Sequence, residues 1–130
     1  MNLEIRKYEE NDLERIHELN KEEGWTNLVE KMGDTREAWK HSNIAYVIED
    51  EDGVIGYIRG MTDTRVSLYI CELLIDKKYR GQGFGKRLLQ YVHDLYPRTR
   101  MELLASSSSH TYYEGNGHRP FYGFRKTYEE

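Results

Sequence analysis

Val66-Ser67-Leu68-Tyr69-Ile70-Cys71-Glu72-Leu73-Leu74-Ile75 runs into Asp76-Lys77-Lys78-Tyr79, then Arg80-Gly81-Gln82-Gly83-Phe84-Gly85, then Lys86-Arg87-Leu88-Leu89-Gln90-Tyr91-Val92-His93-Asp94-Leu95. The order is strand, basic loop, glycine-rich turn, helix. β-Branched and aromatic residues without helical spacing predict the strand. Phe84, Leu88, Val92 and Leu95 fall four, four and three apart and predict one apolar helix face. Pro97 stops the helix.

A helix start leaves backbone N–H groups without partners, and the helix dipole adds partial positive charge there. Gly81, Gly83 and Gly85 let that backbone approach an anion with no Cβ in the way. Arg80, Lys86 and Arg87 add formal positive charge. The pattern predicts a pyrophosphate cradle at a helix N-terminus. It is neither of two better-known phosphate loops. A dinucleotide fingerprint needs a small residue where Lys86 or Leu88 stands, and a Walker A loop needs glycine at Arg80 and Ser or Thr at Arg87.

Arg80-Gly81-Gln82-Gly83-Phe84-Gly85 resembles the Arg/Gln-x-x-Gly-x-Gly/Ala signature of the GNAT superfamily of N-acetyltransferases, and Leu73 to Tyr79 looks like that family's preceding strand and loop. The resemblance implies acetyl-coenzyme A as co-substrate. It implies cofactor contacts at Leu73, Leu74, Ile75, Arg80, Gly81, Gln82, Gly83, Phe84, Gly85 and Lys86. It also implies an α/β fold with a mixed, mostly antiparallel central sheet, helices on both faces, and a parallel pair that splays at the cofactor.

The totals agree with one domain over residues 1–130, since 130 residues with 38% hydrophobic content supply one core. A net charge of −4 gives no basic field for nucleic acid. The single cysteine, Cys71, excludes an internal disulfide framework and suits a reducing compartment. There is no apolar leader and no run of membrane-spanning length, so a soluble cytoplasmic protein, monomer or homodimer, is the expectation.

Residues 3–7 alternate apolar and charged side chains and predict a strand. Asn11 with Glu14 reads as a capping box for a helix carrying Leu13, Ile16 and Leu19, which Gly24 ends. Leu28, Val29 and Met32 mark a second helical region broken at Gly33, with Asp34 or Thr35 capping a short turn through Trp39. Residues 44–48 and 54–61 pair across the Asp52-Gly53 turn, and 100–105 form a strand parallel to the central one. Ser106 to Ser109 read as a linker or as helix caps. Residues 121–128 predict a last strand.

The resemblance places the segment after the first helix at the acceptor pocket, with Glu22, Glu23 and Trp25 as contacts; Trp25 reads equally as a core tryptophan. It implies a cofactor contact at Ser106 or Ser107. His110-Thr111-Tyr112-Tyr113-Glu114-Gly115-Asn116-Gly117-His118 looks like the family's aromatic-Tyr-Glu-x-x-Gly-Phe element, with His118 where Phe is usual. Tyr113 then matches the general acid towards the departing thiolate. Pro120-Phe121-Tyr122-Gly123-Phe124 looks like a contracted copy, with Tyr122 as the second candidate.

Acetyl transfer to an amine needs a neutral amine, a polarised thioester carbonyl and a proton for the thiolate. A backbone N–H near Leu73 or Leu74 would polarise the carbonyl. Glu72, a carboxylate in an apolar strand, is the candidate base. It reads alternatively as the cross-strand partner of Arg59 or Arg65. Tyr69 is expected on the opposite face from Glu72. His110 and His118 are further candidate bases, and no His and Cys spacing suggests a metal. The expected function is an N-acetyltransferase for a small-molecule or peptide amine, by direct attack in a ternary complex. A non-enzymatic acyl-coenzyme A binding module is the alternative. A phosphate hydrolase lacks the required carboxylates and the Walker pair.

Overall fold

A computed structural model describes residues 2–130. Five strands lie in sequence order in one sheet: β1 (Glu4–Lys7), β2 (Ile44–Asp50), β3 (Gly53–Thr62), β4 (Ser67–Ile75) and β5 (Arg100–Leu103). The first four pair antiparallel, and β4 with β5 is parallel, as the strand–helix–strand connection requires. The β2–β3 hairpin closes at Gly53, whose φ of 129° lies where other residues are strained.

Helices cover both faces. On one side α1 (Leu13–Glu23), the short α2 (Thr26–Glu30) and α3 (Met32–Lys40) bury Leu13, Ile16, Leu19 and Trp39 on Val47, Val54, Tyr57 and Leu74. On the other, α4 (Phe84–Leu95) buries Phe84, Leu88, Leu89 and Val92 on Ile44, Ile48, Ile58, Leu68 and Ile70. Each such aliphatic side chain contributes about 1.5–3 kcal/mol relative to exposure. Leu95, expected on this face, is exposed; Leu89 and Gly85 complete the stripe instead.

Local signals were overridden at several places. Asn11 does not cap α1. A single 3-10 turn precedes it, closed by the Glu9 amide donating to Asp12 Oδ2 at 2.8 Å, and Arg6 grips both Asp12 oxygens at 2.9 Å. Gly33 does not break the second helical region. The break is at Lys31 (φ −100°, ψ 54°), and Gly33, Asp34 and Thr35 lie inside α3. Thr35 is no cap, because its hydroxyl donates to the Leu28 carbonyl and joins α2 to α3. Residues 121–128 form no strand, and the sheet ends at β5.

A bulge in β4 decides the geometry of the site. Arg59 pairs with Glu72 and Gly60 with Ile70, so Cys71 is an extra residue. Arg59 and Met61 are two apart on β3 and share a face. Their partners Glu72 and Tyr69 therefore share one too, which overturns the expectation that Tyr69 lies opposite. Gly60 sits where a Cβ would be 2.3 Å from the Tyr69 carbonyl oxygen, so the bulge tolerates only glycine there without backbone movement.

Candidate active site

β5 accompanies β4 only from Ser67 to Ile70; beyond it, Cys71 to Ile75 keep β3 on one side and have no strand on the β5 side among the described residues. The Asp76 amide donates to Ile55 across to β3 at 2.8 Å. Alternation then turns the backbone groups of Leu74 and Glu72 towards β3, and those of Leu73 and Ile75 into the opening. Arg80 Nε takes the Ile75 carbonyl at 2.9 Å. On that side the Leu73 amide and carbonyl and the Ile75 amide face no paired strand among the described residues, since the pairing with β5 ends at Ile70.

The glycine turn continues this line. Gly81 and Gly83 have φ of 80° and 85°. That left-handed backbone is open to glycine at no steric cost. The first intrahelical bond of α4 is from the Arg87 amide to Gly83, at 3.0 Å. The amides of residues 81–86 donate to no protein acceptor among the described residues. Unpaired donors thus run from the open edge of β4 to the helix start, where the dipole and Lys86 and Arg87 favour negative charge.

Tyr112 and Tyr113 reach this place from α5 (His110–Gly115). A Cβ on Gly85 would lie 2.6 Å from the Tyr112 hydroxyl and 3.7 Å from Leu73 Cδ2, so Gly85 makes room for the tyrosine at the mouth of the opening. Tyr113 packs on the α4 side of the core, its ring edge-on to Tyr112 at 5.1 Å and to His118 at 5.5 Å. His118 thus packs as the aromatic residue of that element. Burial, then the neighbouring Tyr112, pushes the Tyr113 phenol up, and burial likewise raises Tyr112. Both stay protonated at neutral pH, the state a proton donor needs. Tyr122 is 96% exposed and stands apart from this cluster. Sequence reasoning missed Tyr112, since two adjacent tyrosines differ only in where a short helix points them.

Glu72 is engaged. Arg59 Nε and Nη2 donate to its two oxygens at 2.7 and 2.6 Å, and Arg59 Nη1 donates to Ser42 Oγ at 3.0 Å. This is the cross-strand pairing the register allows, in its forked form. Cys71 beside it is half-buried, and burial pushes its thiol up, away from the reactive thiolate.

The expected acceptor residues are divided. Glu23 pairs with Arg80, joining the end of α1 to the glycine turn. Glu22 keeps an exposed side chain, and its carbonyl accepts from Lys77 Nζ at 3.3 Å. Trp25 is partly buried against the α1–α3 core and donates its amide to Asn20 at 3.0 Å. Ser106 faces its neighbours: its amide donates to Ser109 Oγ and its carbonyl accepts from Ser109 and His110, so the serines close the turn into α5. Unforeseen in the sequence was Arg15, which reaches from α1 to the Val54 carbonyl at 3.0 Å and Asp76 at 2.7 Å and fixes the loop after β4. Burial would raise Asp76, but the Lys78 amide and Arg15 outweigh it and hold its carboxyl low.

The GNAT acetyltransferase domain family has a model that matches residues 41–122, more than half of the chain, and the protein belongs to that family. No curated protein sequence matches significantly. Among solved structures, a GNAT family acetyltransferase from Streptococcus pneumoniae is similar at 22% identity and TM-score 0.80, covering 99% of this chain and 98% of that one. Glucosamine-6-phosphate N-acetyltransferase from Arabidopsis thaliana gives 18% identity and 0.71 over the whole of both chains. PaiA N-acetyltransferase from Thermoplasma acidophilum, in complex with coenzyme A, gives 18% and 0.68 over 89% of each. At these identities the likeness is one of fold. Among the described residues no helix is long and apolar enough to cross a membrane.

Proposed function

We propose that the chain transfers the acetyl group of acetyl-coenzyme A to a primary amine of a small molecule or peptide, by direct attack in a ternary complex. The observation that carries this reading is the line of unpartnered backbone donors from Leu73 and Ile75 to residues 81–86. The amides of 81–86 would hold the pyrophosphate, with Lys86 as counter-charge. The opening beside Leu73, Leu74 and Ile75 would take the pantetheine arm, and the Leu73 N–H would polarise the thioester carbonyl. Family membership and the coenzyme A complex of the same fold support this assignment.

In the reaction the amine nitrogen attacks the carbonyl carbon, the C–S bond breaks, and Tyr113 gives its proton to the departing thiolate. The protonated Cys71 argues against an acyl-cysteine intermediate and for one direct transfer. Glu72 would receive the amine proton through water. The exposed Glu22 would favour a cationic acceptor. Ser106 would meet the cofactor by turning its hydroxyl from the Ser108 and Ser109 hydroxyls it now bonds.

One observation favours a second reading. Both Glu72 oxygens already accept from Arg59, which holds the carboxylate in a fork and leaves one lone pair on each oxygen. In a non-enzymatic acyl-coenzyme A binding module that pair would simply hold the bulge. Release of free thiol from acetyl-coenzyme A, measured against a panel of amines, polyamines, aminoglycosides and peptide N-termini, separates the two. Turnover with at least one amine class supports the transferase; tight cofactor binding with no turnover on any amine sinks it.

A further inference from the structure

A cavity of about 300 Å³ lies where β1 ends and β2 begins, a volume at the low end of the range for small-molecule sites. It is far from the glycine turn. Ala45, on its wall, pairs with Arg59, and Arg59 with Glu72, so two strands, about 10 Å, separate it from Glu72. The glycine turn follows Ile75, three residues further along β4.

The walls combine rings and cations. Tyr8 stacks on Trp39 with centroids 4.5 Å apart at 26°, and Tyr46 adds a third ring. Trp39 is buried, but Tyr8 is only half-buried, so part of it stays open to a further partner. Lys7 and Lys40 line the same space. Lys40 stands 4.0 Å from Glu10 and 3.7 Å from Glu37, which offset its charge. Lys7 is exposed and enters no ion pair among the described residues. The Tyr8 hydroxyl is buried with no hydrogen-bond partner among the described residues, a cost that an acceptor in the cavity would remove. The other polar walls are occupied: Asn43 bonds the Thr62 backbone through both amide atoms, and Ser42 bonds Ala38 and Arg59.

We propose that this cavity binds a small aromatic carboxylate, at a site separate from the transfer centre. The ligand's ring lies against the Tyr8 and Tyr46 rings, where stacked or edge-on contact adds to apolar burial. Its carboxylate takes the Lys7 ammonium and the Tyr8 hydroxyl, the two groups left without partners. One free cation matches one negative charge, which selects a carboxylate over a phosphate dianion. The lysines repel a cationic ring ligand.

Naphthoate titrated into the isotopically labelled full chain should shift the amides of Tyr8, Lys40, Ser42, Ala45 and Tyr46 and leave those of residues 81–85 in place. The shifts should persist with coenzyme A at saturation. Lys7→Gln, a change at an exposed side chain, should weaken binding about tenfold. Tyr8→Phe, which keeps the ring, should weaken it about fivefold. Naphthamide, which has the rings without the charge, and cyclohexanecarboxylate, which has the charge without the aromatic ring, should each bind at least about tenfold more weakly than naphthoate. No shift at about 10 mM naphthoate, displacement of naphthoate by coenzyme A, equal binding of either control compound, or an affinity unmoved by Lys7→Gln overturns the proposal.

Discussion

Gly83→Asp should separate cofactor binding from folding. Gly83 immediately precedes α4 with φ 85°, and a Cβ there meets nothing within 4 Å. The fold then loses only the strain of a side chain in left-handed backbone, about 1–2 kcal/mol for most residues and less for Asp or Asn. A carboxylate at a helix start recovers about 0.3–1 kcal/mol from the dipole. The melting temperature should therefore move by no more than about 5 °C. At the proposed phosphate position the same carboxylate would lie about 5 Å from bound charge. At an effective dielectric of about 20 that repulsion is about 3 kcal/mol, a loss of roughly a hundredfold in affinity. Gly83→Asn is the control, with equal size and backbone tolerance but no charge, and should lose less than about tenfold. Calorimetry with coenzyme A on both variants, beside their melting curves, reads the difference. Equal affinities for the Asp and Asn variants would refute the placing of phosphate at this turn.

Tyr113→Phe should lower kcat by about a hundredfold or more with little change in KM for acetyl-coenzyme A, in steady-state thiol release; an unchanged kcat removes Tyr113 as the acid. Glu72→Gln breaks the pair with Arg59 and should cost about 2 kcal/mol in urea unfolding, with Arg59→Met in the same chain restoring part of it. If Glu72 is the base, its loss of turnover shrinks as pH rises; a loss equal at all pH values marks it as the partner of Arg59. Leu88→Ala, at a fully buried α4 position, should cost about 2–5 kcal/mol by the same unfolding measurement. Burial would raise the Asp12 carboxyl, but Arg6 and the Glu9 amide outweigh it and hold it low. Its stabilisation is thus present above the unfolded value near 3.9 and is lost as pH falls through the lower folded value. The melting gap between the unaltered chain and Asp12→Asn should close below about pH 4; a constant gap contradicts this.

The central unit was legible because several levels agreed there. The apolar strand, three glycines, basic residues and the α4 stripe all point to one geometry, and Asp52-Gly53 marked the hairpin. What stayed hidden depends on tertiary pairing. A period-two reading assigns Tyr69 and Glu72 to opposite faces, because nothing in the residues announces the extra Cys71; only pairing with Gly60 does. Asn11 is a good cap by type, but Arg6 gripping Asp12 sets the cap two residues earlier, at Glu9. The Glu23–Arg80 and Arg15–Asp76 pairs join residues 57 and 61 positions apart, and side chains that far apart carry no local signal. The strand expected over 121–128 has its residues but no partner strand among the described residues.

Amide spectra of the isotopically labelled chain, recorded as coenzyme A is added, follow each backbone N–H directly. The amides of Gly81, Gln82, Gly83, Phe84 and Gly85, with Leu73 and Ile75, should shift most and saturate together with one affinity. Saturating binding that leaves these seven unmoved would place the nucleotide elsewhere and contradict the account.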